Sequence, residues 1–307
     1  MIKRPIIIDT DPGIDDAVAI AVALFSEELD VKLITTVSGN VSLDKVTYNA
    51  MCLLKYFGKE EIPVAAGASK PLLREVIDAS DIHGKTGMEG FDFDEPDMSK
   101  LLKEHAIDAM RKVILESNEK VTIVPIGPLT NIALLIRTYP EVMENIEELV
   151  IMGGSTGRGN AGVMAEFNFY ADPEAAKIVM KSGLKISITP LDVGLKALVL
   201  PEDSEQIKLM NKTGEMFYSL FKRYRGGSFS TGLKMYDSCA IAYLLKPEMF
   251  ETAFTFVDIE TKGELTYGCS VVDLRGYLKE EPNATVCIDV DAQMFRDWLM
   301  DRIRNCN

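Results

Sequence analysis

Hydrophobic positions along this chain follow two alternating periods. Short β-branched runs at residues 5–8, 31–37, 121–126, 149–152 and 185–189 read as strands, while residues 15–25, 43–56, 101–116 and 174–181 place apolar side chains at helical spacing. Strands that alternate with helices predict an α/β fold with a mostly parallel central sheet flanked by helices. The rhythm breaks in the last third, with helical patterns at 203–223 and 237–245, strands at 255–260, 267–273 and 285–289, and a closing helix at 292–304. No repeat, low-complexity tract or Pro/Gly/Ser linker interrupts the chain, so residues 1–307 read as a single domain. Two segments, 78–96 and 224–235, read as lids beside a site.

Composition narrows the class. With 47% hydrophobic and 26% charged residues, the chain has ordinary globular usage and enough length to bury a large core. A net charge of -14 repels a phosphate backbone, which argues against nucleic acid as a partner and for a neutral or cationic small molecule. The apolar run at the N-terminus stops at Asp9, too short for a secretion signal or a membrane span, and no later segment is long enough; a soluble, cytoplasmic protein is expected. The five cysteines, Cys52, Cys239, Cys269, Cys287 and Cys306, are odd in number and form no CxxC pair, so reduced core thiols are expected.

The strongest local signal is IIIDTDPGIDDAVAI. An apolar strand ends in Asp9 and Asp11, turns at Pro12 and Gly13, and enters a helix carrying Asp15 and Asp16. Strand carboxyl ends are where open parallel sheets bind ligands. A helix N-terminus favours each carboxylate by only about 0.3–1 kcal/mol, whereas each close pair of ionised carboxylates costs about 4 kcal/mol at an effective dielectric near 20. A cation is therefore expected among them, and hard oxygen ligands without nearby His or Cys point to calcium or magnesium. The competing reading is a solvated acidic helix start. Other strand ends repeat the theme with Asn40, Asn131 and Asn160; AEFNFYADPEAA places Glu166 and Asn168 ahead of a helix, and KMYDSCAIAY sets Asp237 at a helix start. Each of these alone is more often a helix cap than a ligand.

Together the motifs DTDPGIDDA, TTVSGN, IHGKTG, VPIGPLTNIA, IMGG, AEFNFYADPEAA and ETKGELT resemble the inosine-uridine-preferring nucleoside hydrolase family across essentially the whole chain. The resemblance implies hydrolysis of the N-glycosidic bond of a small-molecule ribonucleoside, a place in nucleoside salvage, no membrane or nucleic-acid partner, and a homo-oligomer, dimer or tetramer. It implies calcium (Ca2+) held by Asp11, Asp16, Asp237 and the backbone carbonyl of Ile126, with Asp11 as general base toward a water held by the metal. Asp15, Asn40 and Asn168 match residues that hold the ribose 2′- and 3′-hydroxyls; Asn160 and Glu166 match those near the 5′-hydroxyl. His83 matches a family histidine near the active site.

One departure stands out. Many members place a histidine immediately before the late calcium-binding aspartate, where it protonates the departing base; here Tyr236 occupies that position. A tyrosine with a pKa near ~10 is a poor acid at neutral pH, though it can stack or donate a hydrogen bond. Tyr224 and Phe229, in the second lid, are further candidates for the base side. The sole tryptophan, Trp298, lies in the last helix and gives no support to a tryptophan-stacking, purine-specific site. Two other readings compete. A haloacid-dehalogenase-like phosphatase would use the Asp9-x-Asp11 pair but expects Thr or Val where Gly13 stands, and a non-catalytic nucleoside or calcium binder would retain the pocket without turnover.

Overall fold

The computed structural model describes residues 3–307. The first half runs β1 (Arg4–Thr10), α1 (Ile14–Phe25), β2 (Leu29–Thr36), α2 (Leu43–Tyr56), β3 (Val64–Ala66), α3 (Ser80–His83), α4 (Ala106–Glu116), β4 (Val121–Pro125), α5 (Thr130–Thr138) and β5 (Ile146–Met152). Next come α6 (Phe167–Ala171), α7 (Pro173–Met180), β6 (Ile186–Thr189), α8 (Leu191–Gly194), β7 (Leu198–Val199), α9 (Pro201–Lys208) and α10 (Lys212–Phe221). The chain finishes with β8 (Gly227–Ser228), β9 (Gly232–Lys234), α11 (Tyr236–Leu245), β10 (Phe250–Thr255), β11 (Val257–Ile259), β12 (Ser270–Val272), β13 (Ala284–Val290) and α12 (Ala292–Arg304).

Eight strands form one sheet in the order β10-β13-β6-β5-β4-β1-β2-β3, parallel throughout except for the antiparallel edge strand β10. Both faces are buried, which is why the strands read as continuous apolar runs. In β1, Ile6 and Ile8 join the core under α1, α2, α10, α11 and α12, whereas Ile7 between them joins the core under α4, α5 and α7. Full burial of each such side chain contributes about 1.5–3 kcal/mol.

Chain order in the sheet fixes where a ligand can enter. From β1 the chain steps outward through β2 to β3, then returns to lay β4 on the other side of β1. The loops after β1 and β4 consequently diverge and leave a crevice at their carboxyl ends, the place where open α/β sheets bind ligands.

Several boundaries differ from the sequence reading. The helix expected from residue 101 starts at Ala106, because His105 turns its imidazole back to accept from the Ile107 amide at 3.3 Å and caps the first turn. The pattern at 203–223 is two helices, divided where Asn211 accepts the Gly214 amide at 2.7 Å and opens α10. The short strand β3, the helix α5 and the edge strand β10 were not expected, and the strands around residues 255–273 form a separate antiparallel pair, β11 with β12. No helix among the described residues is long and apolar enough to cross a membrane.

Candidate active site

The turn after β1 builds the floor of the crevice. Asp16, in the first turn of α1, accepts from the Gly13 amide at 2.9 Å and from the Thr10 hydroxyl at 2.6 Å, so it caps its own helix and fixes the turn. Asn40, from the loop after β2, donates its amide to Asp11 Oδ2 at 2.6 Å and its side-chain nitrogen to the Asp11 carbonyl at 3.0 Å and to Asp16 Oδ2 at 3.1 Å. That approach requires glycine next door, since a Cβ on Gly39 would lie 2.0 Å from Asp11 Oδ2. Asp237 enters from the far end of the sequence, in the first turn of α11, which packs on α1.

These carboxylates converge. One oxygen from each of Asp15, Asp16 and Asp237 lies within 4.8 Å of the others, and all three are buried. Asp11 sits against the same group and feels its charge: burial first, then the Asp16 carboxylate, pushes its pKa well above the usual range. Burial and Asp16 raise Asp15 to about 8. Asp237 is raised well above the usual carboxylate range by burial and then by the Asp15, Asp16 and Asp11 charges. Asp11 Oδ1 is buried without any hydrogen-bond partner. Close pairs of buried carboxylates and an orphaned carboxylate oxygen form a set of hard donors whose charge a divalent cation would neutralise. The buried Ile126, just after β4, has its amide on the Asp9 carbonyl at 2.8 Å, which brings its own carbonyl to the crevice.

A second polar wall lies beyond β5. Asn168, in α6, donates its side-chain nitrogen to the carbonyls of Ile126 at 3.0 Å and Met152 at 3.1 Å. Glu166 caps α6, accepting from the Asn168, Gly154 and Phe169 amides at 2.8, 2.9 and 3.2 Å. Even with these three donors, burial raises it to about 7. Asn160 accepts from the Phe167 amide at 2.9 Å.

The two lid segments close the top. His83, at the end of α3, accepts the Ile14 amide on Nδ1 at 3.2 Å, and burial lowers its pKa to about 3. It is therefore a neutral imidazole whose Nε2 carries the hydrogen. Its ring lies 5.4 Å from that of Tyr224, whose hydroxyl donates to the Lys234 carbonyl at 3.1 Å. Tyr236 is half-buried, and burial, then the Asp15 and Glu166 charges, raise its pKa well above the ordinary value. A Cβ on Gly194 would meet its ring at 2.2 Å.

These groups line a cavity of ≈ 210 Å³, to which Asp15, Asn40, His83, Ile126, Asn160, Glu166, Asn168, Tyr224, Tyr236 and Asp237 all contribute. Phe229 does not: its ring packs edge-on against Tyr218 at 5.7 Å, turned toward the core by the hairpin of β8 and β9. Asn131 also stays out of the cavity. It works as a brace, donating to Asp9 Oδ1 and the Thr36 carbonyl and accepting from the Ala68 amide. Lining residues that sequence patterns did not single out include Ile82, Met152, Phe167, Arg225 and Lys234; the last two lie inside a segment already marked as a lid.

Comparison with known proteins agrees with this geometry. Residues 6–297 match the family described as inosine-uridine preferring nucleoside hydrolase. The chain is 51% identical over 296 residues to the protein named non-specific ribonucleoside hydrolase RihC of Salmonella paratyphi C, covering 96% of each, and 50% identical over 301 residues to that of Klebsiella pneumoniae, covering 98% of each. Among solved structures it resembles a purine-preferring ribonucleoside hydrolase from Gardnerella vaginalis (TM-score 0.91, 27% identity, 99% of both chains). It also resembles an inosine-guanosine nucleoside hydrolase (TM-score 0.92, 28% identity, 98% of this chain and 99% of that one).

Proposed function

The chain belongs to the inosine-uridine preferring nucleoside hydrolase family, and from that premise we propose that it hydrolyses ribonucleosides to free base and ribose in a calcium-dependent reaction with Asp11 as general base. Its curated relatives carry the name ribonucleoside hydrolase at 50% identity and above, over nearly the full chain, and the chain is a ribonucleoside hydrolase. The observation that carries the mechanistic part is the buried, unpartnered Oδ1 of Asp11 beside three carboxylates that crowd one another.

Asp11, Asp16, Asp237 and the Ile126 carbonyl would hold the ion, and the chemistry of this donor set suits calcium. Bound there, calcium supplies positive charge that acidifies and orients a water. Asp11 takes the proton of the attacking water. Asp15, Asn40 and Asn168 hold the 2′- and 3′-hydroxyls, and Glu166 with Asn160 holds the 5′-hydroxyl. The sugar then lies among carboxylates that stabilise the positive charge it develops as the C–N bond breaks, and attack is direct, without a covalent sugar. A phosphate on the sugar would be repelled by the same carboxylates. Tyr236 keeps its proton under the neighbouring charges and serves as a hydrogen-bond donor or stacking surface rather than as an acid.

Free ribose measured after incubation with inosine, uridine and cytidine tests the reading. Wild type in calcium should release ribose, wild type in chelator should not, and Asp11→Ala should be slower by about 10²–10⁴-fold while still unfolding cooperatively in chelator. Turnover that survives exhaustive chelation would remove calcium, and near-normal turnover of Asp11→Ala would remove the base. Saturable nucleoside binding without any ribose would favour a non-catalytic binder.

A further inference from the structure

The cavity is charged unevenly. The acids that line it, Asp15, Glu166 and Asp237, come from the starts of α1, α6 and α11. Among the described residues, its only lining side chains with a permanent positive charge, Arg225 and Lys234, both belong to the lid segment 224–235. Acids and cations therefore enter from different elements.

The two cations differ in their commitments. Arg225 is exposed; its amide donates to the Ile82 carbonyl at 3.1 Å and its guanidinium to the Asp81 carbonyl at 3.3 Å, so it fastens the lid to α3. Lys234 is half-buried and free of ion pairs among the described residues, although carboxylates line the same cavity. Its strand neighbour Leu233 points into the core, so strand alternation turns Lys234 to the opposite side. Its backbone is held at both ends: the amide donates to the Gly226 carbonyl at 2.9 Å, and the carbonyl accepts from the Tyr224 hydroxyl. A half-buried lysine on a fixed backbone, lining the cavity and with no ion-pair partner among the described residues, is placed for an anion that arrives only during the reaction.

We propose that Lys234 receives the negative charge that develops on the departing base. The inference rests on the ribonucleoside-hydrolase reading. As the C1′–N bond breaks, its electron pair goes to the base nitrogen while the water oxygen bonds to C1′ and the water proton passes to Asp11. The base leaves as an anion hydrogen-bonded to the Lys234 ammonium through a ring nitrogen or carbonyl oxygen, then takes a proton from solvent as Asp11 returns one. The sugar becomes positive among the acids and the base negative beside the lysine, so the cavity matches the charge separation of the transition state better than the neutral substrate. Lys234 determines which leaving groups are accepted: bases that depart as poor anions depend on it, and stable anions do not.

The test uses the calcium-loaded enzyme with inosine, uridine and p-nitrophenyl riboside, whose phenolate departs as a stable anion. In Lys234→Met, kcat on the two nucleosides should fall about 100-fold with little change in KM, while the aryl riboside stays within about threefold of wild type. Lys234→Gln repeats the measurement with a neutral polar side chain, and Lys234→Arg should restore most of the nucleoside rate. Equal losses on all three substrates, or no loss on the nucleosides, would overturn the assignment. If wild type released ribose from no nucleoside, the hydrolase reading itself would fall, and the role of Lys234 with it.

Discussion

Glu166 shows how a single side chain can report on the site from outside the metal cluster. Its carboxyl is held at about 7 in the folded protein, above the ordinary 4.5, because burial outweighs the three amides that donate to it. A folded value above the unfolded one means that its contribution to stability is complete below about pH 4.5 and is lost as pH rises through 7. A shift of that size is worth roughly 3 kcal/mol. In chelator, urea unfolding of wild type should show stability falling between pH 5 and 8, and Glu166→Gln should remove part of that fall; parallel curves for the two proteins would show that Glu166 does not titrate there. At this scale the sequence was most legible where charge was dense. Four aspartates in eight residues cannot be solvated apart once a strand and a helix bring them together, so Asp11, Asp15 and Asp16 stood out. Lys234 did not, because a lone lysine in a polar loop carries no pattern, and only the turn of β9 away from Leu233 gives it direction.

Elements decide how closely those residues can approach. Tyr236 opens α11 immediately before Asp237, and its ring lies over Gly194 at the end of α8, where a Cβ would stand 2.2 Å away. Gly194→Ala should therefore push the ring and the start of α11, destabilising the protein by about 1–3 kcal/mol and lowering kcat/KM. In a Tyr236→Ala background the same substitution should cost little, since the obstruction is gone; a double-mutant cycle with no coupling would place the strain elsewhere. Helical and strand periods were legible wherever both sheet faces are buried, as in β1, β2, β4 and β5. Short edge strands such as β3, with three residues, offer too few positions for a period to register. Helix breaks such as Asn211 depend on one side chain capping a turn, which an apolar pattern spanning both helices conceals.

For the whole molecule, the proposed cation would bind the folded state and not the unfolded chain, because the ligands proposed for it lie at residues 11, 16, 126 and 237. At a calcium concentration 100 times the dissociation constant, the fold should gain about 2.7 kcal/mol, seen as a rise in thermal midpoint of several degrees. Protons compete for the same oxygens, and Asp15 beside them titrates at about 8, so the rise should be larger at pH 8 than at pH 6. A rise of the same size in Asp16→Asn would place the ion outside this cluster. Fold class was readable because strand and helix alternate through most of the chain, whereas the crevice follows from β4 returning to the far side of β1, a step that no local pattern encodes. The lateness of Asp237 has a consequence for biosynthesis. A nascent chain still attached to the ribosome can present the aspartates of the first loop long before α11 emerges, so it holds an open half-cage with weak affinity for the ion. Calcium, bound as proposed, would then act only as a late clamp, on a chain that has already emerged as far as β9 but still lacks β10 and β13, and fragments ending before α11 should circulate without it.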